Sequence, residues 1–173
     1  MVDTLIRLIA DEALVIMIVL AGVSLLVLVD KRKRLSYYAR IILAGLTGLL
    51  TAKFMAAVFQ PASVRPFEKL GITPGASYLD NPGFPSDHAL LATAIFFAVW
   101  FAVRKNWLSL LMVVFVLMIC TGRILALVHT PLDVIGGILA ASVGALWYLE
   151  DKTVKAKLAK FKNRLSNLQK SKT

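Results

Sequence analysis

The residues best suited to chemistry are two histidines, each within five positions of a carboxylate. His88 follows Asp87 directly in the sequence PSDH, with Ser86 one position earlier. His129 stands four residues before Asp133, in the sequence GRILALVHTPLDVIGG. A carboxylate fixes the tautomer of a neighbouring imidazole, which can then act as a nucleophile or as a general acid or base. These spacings therefore predict two candidate reacting groups.

Two arginines lie close to these motifs in the sequence. Arg65 directly precedes a proline, and Arg123 stands six residues before His129. Unpaired N–H groups at the start of a helix favour bound anions such as phosphate. Polar groups at the ends of several apolar helices can converge on one pocket. Taken alone, PSDH is equally well explained as the capped start of a helix, with Ser86 or Asp87 as the N-cap.

The composition predicts that these polar groups belong to a membrane protein. The chain is 58% hydrophobic and 17% charged, with a mean hydropathy of +0.75, whereas soluble domains are usually less apolar and carry more charge. We expect an all-α, polytopic helix bundle over residues 1–150, with about five transmembrane helices and a short N-terminal helix at the bilayer surface, or a frayed terminus, over residues 1–12. The predicted spans are residues 13–29, 41–59, 89–103, 107–121 and 134–149.

The net charge of +10 gives these spans an orientation. Basic residues at 31–34, at 104–105 and in the tail fall on one side of the membrane if the spans alternate, and the positive-inside rule makes that side cytoplasmic. Anionic lipid, rather than nucleic acid, is therefore the expected partner of this charge. All the motifs that carry histidine or arginine then lie together on the outer face.

The C-terminal residues 151–173 are predicted to form a basic amphipathic cytoplasmic helix. Apolar residues recur there at alternating steps of four and three, which is typical of a helix with one apolar seam. They are Val154, Leu158, Phe161, Leu165 and Leu168. The many lysines favour binding of this helix to the inner leaflet. A short coiled coil between protomers is the alternative, and it leaves a homo-oligomer open.

Residues 53–137 resemble the type 2 phosphatidic acid phosphatase (PAP2) superfamily, whose pattern is K-x6-R-P, then P-S-G-H, then S-R-x5-H-x3-D. The PSDH variant, with RPF upstream, resembles the bacterial undecaprenyl pyrophosphate phosphatases of the bacitracin-resistance type. The chain departs from the family pattern at two positions. Val58 occupies the slot of the family lysine, and Gly122 replaces the serine before Arg123. Lys53, five residues before Val58, is a candidate substitute for that lysine or a lysine that extends to the interface.

The resemblance implies a phosphatase of the cell membrane that acts on its extracytoplasmic face. It would hydrolyse undecaprenyl (polyprenyl) diphosphate to the monophosphate used in cell-wall assembly, plus inorganic phosphate, through a phosphohistidine. His129 would be the nucleophile, Asp133 would accept the hydrogen of its other ring nitrogen, and His88 would be the general acid. The alternatives are a phosphatidate or phosphatidylglycerophosphate phosphatase, and a non-enzymatic lipid-phosphate transporter or sensor on the same scaffold.

The remaining polar residues would hold the substrate phosphate. The resemblance assigns Arg65 and Arg123 to a charge clamp, completed by Ser86, with Lys53 as a weaker contributor. Asp87 has no role in the general pattern, and it could bind a cation, hold an arginine or read the second phosphate of a diphosphate. We expect no metal and no cofactor, because the arginines supply the positive charge and two histidines with lone carboxylates make a poor zinc site.

Overall fold

A computed structural model describes residues 2–62, 64–149 and 156, with side chains described from residue 4 onward. Within these residues every regular element is helical, which confirms the expected all-α bundle. The helices are α1 (Val2–Arg7), α2 (Ala13–Leu28), α3 (Arg34–Val58), α4 (Pro66–Leu70), α5 (Asp87–Ala102), α6 (Asn106–Leu125) and α7 (Pro131–Gly144). A π-helical turn, Leu8–Glu12, joins α1 to α2, and a 3-10 turn, Ala145–Tyr148, extends α7.

Four helical stretches in the described part of the chain are long and apolar enough to cross a membrane. They are Thr4–Leu28, Arg34–Val58, Asn106–Leu125 and Pro131–Tyr148. Helix α5 is apolar but has 16 residues, or about 24 Å at the usual helical rise, against a hydrocarbon core of about 30 Å. Length and composition therefore support four of the five predicted spans, and they leave α5 as a shorter apolar helix.

Helix α5 lies at the centre of the bundle, in contact with α2, α3, α6 and α7. Ala89, Ala92 and Val99 are fully buried along it. After its first turn α5 is apolar on every face, as expected of a helix packed on several sides by others. Most of the large exposed side chains lie on the outer helices, where Val27 and Leu50 are more than two-thirds exposed, and Leu91 and Trp100 of α5 are partly exposed as well. These outer faces are suited to contact with lipid.

Glycines allow α3 and α7 to pack backbone against backbone. A Cβ added to Gly48 would lie 3.3 Å from the Ala140 carbonyl oxygen, and one added to Gly144 would overlap the carbonyl oxygen of Ala44. Small residues at such crossings are typical of helix packing in membranes, where close approach maximises dispersion contacts. Gly144 and Gly48 therefore allow the two helices to pack closely.

The N-terminal segment is not the separate helix that the sequence predicts. The sequence predicts a separate surface helix over residues 1–12, but the structure continues one helix from Thr4 to Leu28. The segment packs against the rest of the bundle, because Ala10 is fully buried and belongs to an apolar cluster with Phe67, Ala126 and Val128. The first turns of the chain are therefore part of the bundle, close to the corner between α6 and α7.

The turns rich in basic residues meet at one end of the bundle. The Arg104 guanidinium lies 5.8 Å from the centre of the Tyr37 ring, which joins the turn after α5 to the first turn of α3. His88 and Arg123 lie at the other ends of α5 and α6, so both are at the opposite end of these helices. The prediction for the basic tail, residues 151–173, falls outside the described residues except at position 156.

Candidate active site

The corner between α6 and α7 carries Arg123, His129 and Asp133. Leu127 adopts a left-handed conformation with φ of 58° and turns the chain back, and the His129 N–H then donates to the Arg123 carbonyl oxygen at 3.3 Å. Thr130 caps α7: its hydroxyl oxygen accepts from the Asp133 N–H at 3.2 Å, and its own N–H donates to Asp133 Oδ2 at 2.7 Å. This reciprocal cap fixes the Asp133 carboxylate beside His129.

Asp133 and His129 form the predicted pair. Asp133 Oδ2 lies 3.6 Å from His129 Nδ1, both residues are buried, and Nδ1 has no hydrogen-bond partner within residues 2–62 and 64–149. The separation slightly exceeds a hydrogen bond, and Oδ2 also accepts from the Thr130 N–H. Since Nδ1 faces the carboxylate, Nε2 is the ring nitrogen that remains for another partner. Burial, together with the nearby charge of Arg123, lowers the pKa of His129 against the opposing effect of Asp133, and this favours the neutral imidazole.

The start of α5 is held against the start of α7. The Ser86 N–H donates to the Asp133 carbonyl oxygen at 2.8 Å, and the Ser86 hydroxyl accepts from the Ala89 N–H at 3.4 Å. Ser86 is therefore the N-cap, one of the two predicted candidates. A Cβ on Gly136 would lie 2.6 Å from the Phe84 ring, and one on Gly137 would overlap the Ser86 carbonyl oxygen. The glycine pair thus makes room for the PSDH loop, which brings both histidines to one place.

Arg65 is buried and ties three backbone segments together. Its guanidinium donates to the carbonyl oxygens of Asn81, Leu79 and Val128 at 3.1, 3.0 and 2.5 Å, and to Asn81 Oδ1 at 2.7 Å. A Cβ on Gly83 would lie 3.1 Å from Arg65 Nη1, so the glycine leaves space for the guanidinium. Four of five N–H groups are engaged, and one on Nη1 has no partner among the described residues. Burial lowers the pKa of Arg65, although an arginine remains charged in proteins.

Arg123 is almost fully buried, at 1% exposure, and is paired with a carboxylate that the sequence analysis missed. Its Nη1 donates to Asp11 Oδ1 at 2.7 Å. Its Nε is buried and has no hydrogen-bond partner in the described part of the chain. A buried guanidinium with an unused N–H is a candidate donor to a bound anion.

Both histidines and both arginines line one cavity of about 180 Å³. The other lining residues are Ser77, Tyr78, Leu79, Asn81, Gly83, Pro85 and Asp87. Asp133 stands behind His129 rather than on the wall, and the Ser86 hydroxyl is occupied in capping α5. The structure therefore brings together His88, His129, Arg65 and Arg123, as the motifs predict, and it adds the Tyr78 and Asn81 side chains. Asn81 could have been suspected from its position in the long polar loop before PSDH.

Lys53 lies outside this cavity. Lys53 and Asp87 both line two adjoining cavities, of about 210 and 380 Å³. Of these two residues, Asp87 also lines the cavity that holds the histidines, whereas Lys53 does not. Val58, in the slot of the family lysine, is the last residue of α3 and is 64% exposed. A role for Lys53 in phosphate binding stays a prediction, and so does the role of Asp87.

Asp11 is a further residue of the site that the sequence analysis did not single out. It lies in the π-helical turn, its Oδ1 is 3.9 Å from His88 Nε2, and its Oδ2 accepts from the Ser77 N–H at 2.9 Å. The available signal was an ionisable residue at the head of an apolar helix, a functional candidate by default. No three His, Cys, Asp or Glu side chains gather as a metal-binding group within the described ranges.

Comparison with known proteins identifies the family. The sequence model of the PAP2 superfamily matches residues 33–155 of the 173. The chain belongs to the PAP2 superfamily. This PAP2 protein is 39% identical over 67 residues to sphingosine-1-phosphate phosphatase 2 of Mus musculus, a match that covers 35% of the chain and 19% of the relative. It is 35% identical over 68 residues to the putative undecaprenyl-diphosphatase YbjG of Escherichia coli (strain K12), covering 38% of the chain and 33% of the relative.

The PAP2 protein thus matches a third or less of the length of each relative. No solved structure matches the chain at a significant level. The family match supports the predicted resemblance, and the YbjG match agrees with the predicted type of relative.

Proposed function

We propose that this PAP2 protein is a membrane lipid phosphatase that removes the terminal phosphate of a polyprenyl diphosphate. The observation that carries the proposal is the convergence of His88, His129, Arg65 and Arg123 on one cavity in an apolar helix bundle. Two imidazoles and two guanidinium groups supply a nucleophile, a general acid and a clamp for phosphoryl oxygens. The similarity to a putative undecaprenyl-diphosphatase supports the choice of a diphosphate.

The terminal phosphate is bound by donors that the protein itself leaves unused. Arg123 contributes Nε, and Arg65 contributes the remaining N–H on Nη1. The first N–H groups of α5 add partial positive charge at the same cavity. These donors are preorganised by burial and by their other hydrogen bonds, so they stabilise charge on the transferring group without reorganising during the reaction.

In the first step, His129 Nε2 attacks the terminal phosphorus. A nitrogen–phosphorus bond forms and the bond from that phosphorus to the bridging oxygen breaks. His88, in its protonated form, donates a proton toward the departing oxygen, and the lipid monophosphate leaves. Asp133, held by Thr130, stabilises the positive charge that develops on the His129 ring.

In the second step, water hydrolyses the phosphohistidine. His88, now neutral, accepts a proton from the water as its oxygen attacks phosphorus, and the nitrogen–phosphorus bond breaks. Inorganic phosphate departs, His129 is neutral again and His88 is protonated again. Each atom and proton is accounted for by the substrate, one water molecule and the two histidines.

A lipid with a single phosphate is the second candidate substrate class. The similarity to sphingosine-1-phosphate phosphatase 2 favours it, because that relative is named for a single phosphate. The cavities lined by Asp87 and Lys53 favour a diphosphate substrate over a single phosphate. They adjoin the cavity with the histidines, so they offer room for the second phosphate. A phosphatidate or phosphatidylglycerophosphate also belongs to the single-phosphate class.

The proposed location is the plasma membrane, with the active site on the extracytoplasmic face. The basic turns at 31–34 and 104–105 lie at the end of the bundle opposite His88 and Arg123, and the positive-inside rule assigns that basic end to the cytoplasm. Thr73 is exposed in the loop beside the site. Thr73→Cys, in a chain with Cys120 replaced, should react with a membrane-impermeant thiol reagent in whole cells; labelling only after lysis would invert the orientation.

Phosphate release by the purified chain tests the function. The panel contains a polyprenyl diphosphate, phosphatidate, phosphatidylglycerophosphate and sphingosine 1-phosphate, each with and without EDTA. We expect the diphosphate to be the best substrate and EDTA to leave the rate largely intact. The His129→Ala variant is the control, and a terminally labelled diphosphate should leave acid-labile label on the wild type alone. Absence of phosphate release from every lipid would favour a transporter or sensor.

A further inference from the structure

We infer that Asp11 is a positioning residue of this site, which orients Arg123 for the phosphate and favours the proton-bearing form of His88. The inference rests on the proposed function for its catalytic meaning. Asp11 acts through these two side chains, and it is not itself on the wall of the cavity that holds the histidines.

The contacts of Asp11 are specific on both carboxylate oxygens. Oδ1 accepts from Arg123 Nη1 at 2.7 Å and lies 3.9 Å from His88 Nε2. Oδ2 accepts from the Ser77 N–H at 2.9 Å. The carboxylate is thus fixed by α6 on one oxygen and by the loop before α5 on the other. A side chain held from two directions has little freedom to swing away when a substrate binds.

The backbone is shaped to deliver this carboxylate. A Cβ on Gly122 would lie 2.8 Å from the Ala10 nitrogen and 2.9 Å from the Ile9 carbonyl carbon, so a side chain there would push the N-terminal helix away. The approaching segment is the π-helical turn Leu8–Glu12, a form often found at functional sites. Glycine replaces the family serine at position 122, and the N-terminal helix occupies the space that a serine side chain would need. The same helix places the Asp11 carboxylate beside Arg123.

The first consequence concerns Arg123. A guanidinium buried without a counter-charge is strongly unfavourable, and Asp11 supplies that charge through Nη1 alone. The planar fork is then fixed in orientation, with Nε left for the phosphate. Loss of the carboxylate would leave Arg123 free to rotate or to seek another partner.

The second consequence concerns His88. The pKa of His88 is lowered to about 4, first by burial and then by the charges of Arg123 and His129, whereas the charges of Asp11 and Asp87 act to raise it. Asp11 lies on another element, with its Oδ1 3.9 Å from Nε2. A general acid must carry its proton when the lipid leaves, so the charge of Asp11 extends the pH range in which His88 can perform the first step.

A histidine titration tests the inference without relying on turnover. The chain has two histidines, so a His129→Gln background leaves His88 as the one resonance followed by NMR, provided that the affinity tag lacks histidine. In the full chain in detergent, Asp11→Asn should move the His88 titration midpoint down by about one pH unit, the effect of one nearby charge in a partly hydrated site. Glu12→Gln is the matched control: it removes the same charge one residue away from an exposed side chain and should leave the midpoint unchanged.

Kinetics on chains with His129 intact provide the second readout. Asp11→Asn should lower kcat/KM on the order of tenfold to a hundredfold and shift the alkaline limb of its pH profile to lower pH. Glu12→Gln should change neither. Asp11→Glu keeps the charge and should leave the alkaline limb near its wild-type position, and it serves as the second variant if asparagine prevents folding.

The outcomes separate this inference from the proposed function. A wild-type protein that releases no phosphate from any lipid would refute the phosphatase, while the His88 titration would still test Asp11. An active protein in which Asp11→Asn and Glu12→Gln give the same His88 midpoint and the same pH profile would overturn the role of Asp11. The role of Asp11 would also be overturned if Asp11→Glu shifted the alkaline limb of the kcat/KM profile as far as Asp11→Asn does. The charge of the side chain would then be irrelevant.

Discussion

Replacing Arg65 with lysine keeps the positive charge but removes the planar fork. In the structure the guanidinium donates four hydrogen bonds to Leu79, Asn81 and Val128. These acceptors belong to two segments far apart in sequence, and Val128 directly precedes the proposed nucleophile. An ammonium group has three donors on one atom and cannot reach acceptors that the arginine meets with three separate nitrogens.

The magnitude follows from the number of bonds lost. If lysine retains two of the four, two charge-assisted hydrogen bonds disappear, each contributing about 1.5–3 kcal/mol. A loss of about 3 kcal/mol in the active conformation corresponds to roughly a hundredfold in rate, at tenfold per 1.36 kcal/mol. We therefore expect kcat/KM of Arg65→Lys to fall by about two orders of magnitude or more, even though the net charge of the site is unchanged.

Phosphate release and limited trypsin digestion together provide the assay. Lys69 is exposed in α4, which begins directly after Arg65, so trypsin should cut after it faster when the Arg65 side chain no longer anchors the start of that helix. Arg32→Lys is the matched control, the same replacement at an exposed arginine in the turn between α2 and α3. Wild-type activity and wild-type digestion in Arg65→Lys would refute the reasoning, because charge alone would then account for Arg65.

Three further predictions follow from the geometry. Burial lowers the pKa of His129, so its imidazole stays neutral when the pH falls through the ordinary value of 6.5. The acid limb of the pH profile of kcat/KM should therefore lie below pH 6.5. An acid limb above pH 6.5 would contradict the lowering of this pKa by burial. Gly122→Ser restores the family residue, yet it should lower activity at least tenfold because its Cβ meets the π-helical turn, whereas Gly22→Ser, with nothing within 4 Å, should not. Lys53→Met should cost on the order of tenfold, the loss of one charged hydrogen bond, and less than Arg65→Ala; equal losses would make Lys53 a full phosphate ligand.

The convergence of the motifs could be predicted from sequence because each lies next to the end of an apolar run. Ser86 before Asp87, and Thr130 before Pro131, are recognisable helix starts, and both are N-caps in the structure. Helix starts and ends that share one side of a bundle bring their flanking residues together. The pairing of His129 with Asp133 likewise follows from a spacing of four across a helix start.

The contribution of the N-terminus could not be predicted in the same way. Asp11 and Arg123 are 112 residues apart, and no periodic pattern links them. The donors of Arg65 were expected to face a phosphate, but most are taken by loop carbonyls that carry no sequence signal, since every residue has one. Long-range polar contacts of this kind depend on how helices cross, which hydrophobic patterning determines only coarsely.

The distance in sequence between Asp11 and Arg123 has a consequence for biosynthesis. At 5–20 residues per second, a ribosome takes roughly 6–22 s to add the 112 residues that end with Arg123, and during that time Asp11 lacks this partner. An unpaired carboxylate is stable in water and costly in hydrocarbon. The head of the first helix must therefore stay hydrated until α6 has been inserted, and the joining of these two charges is a late event in assembly. A substitution at Asp11 could then act on how quickly the nascent chain matures, as well as on the finished protein.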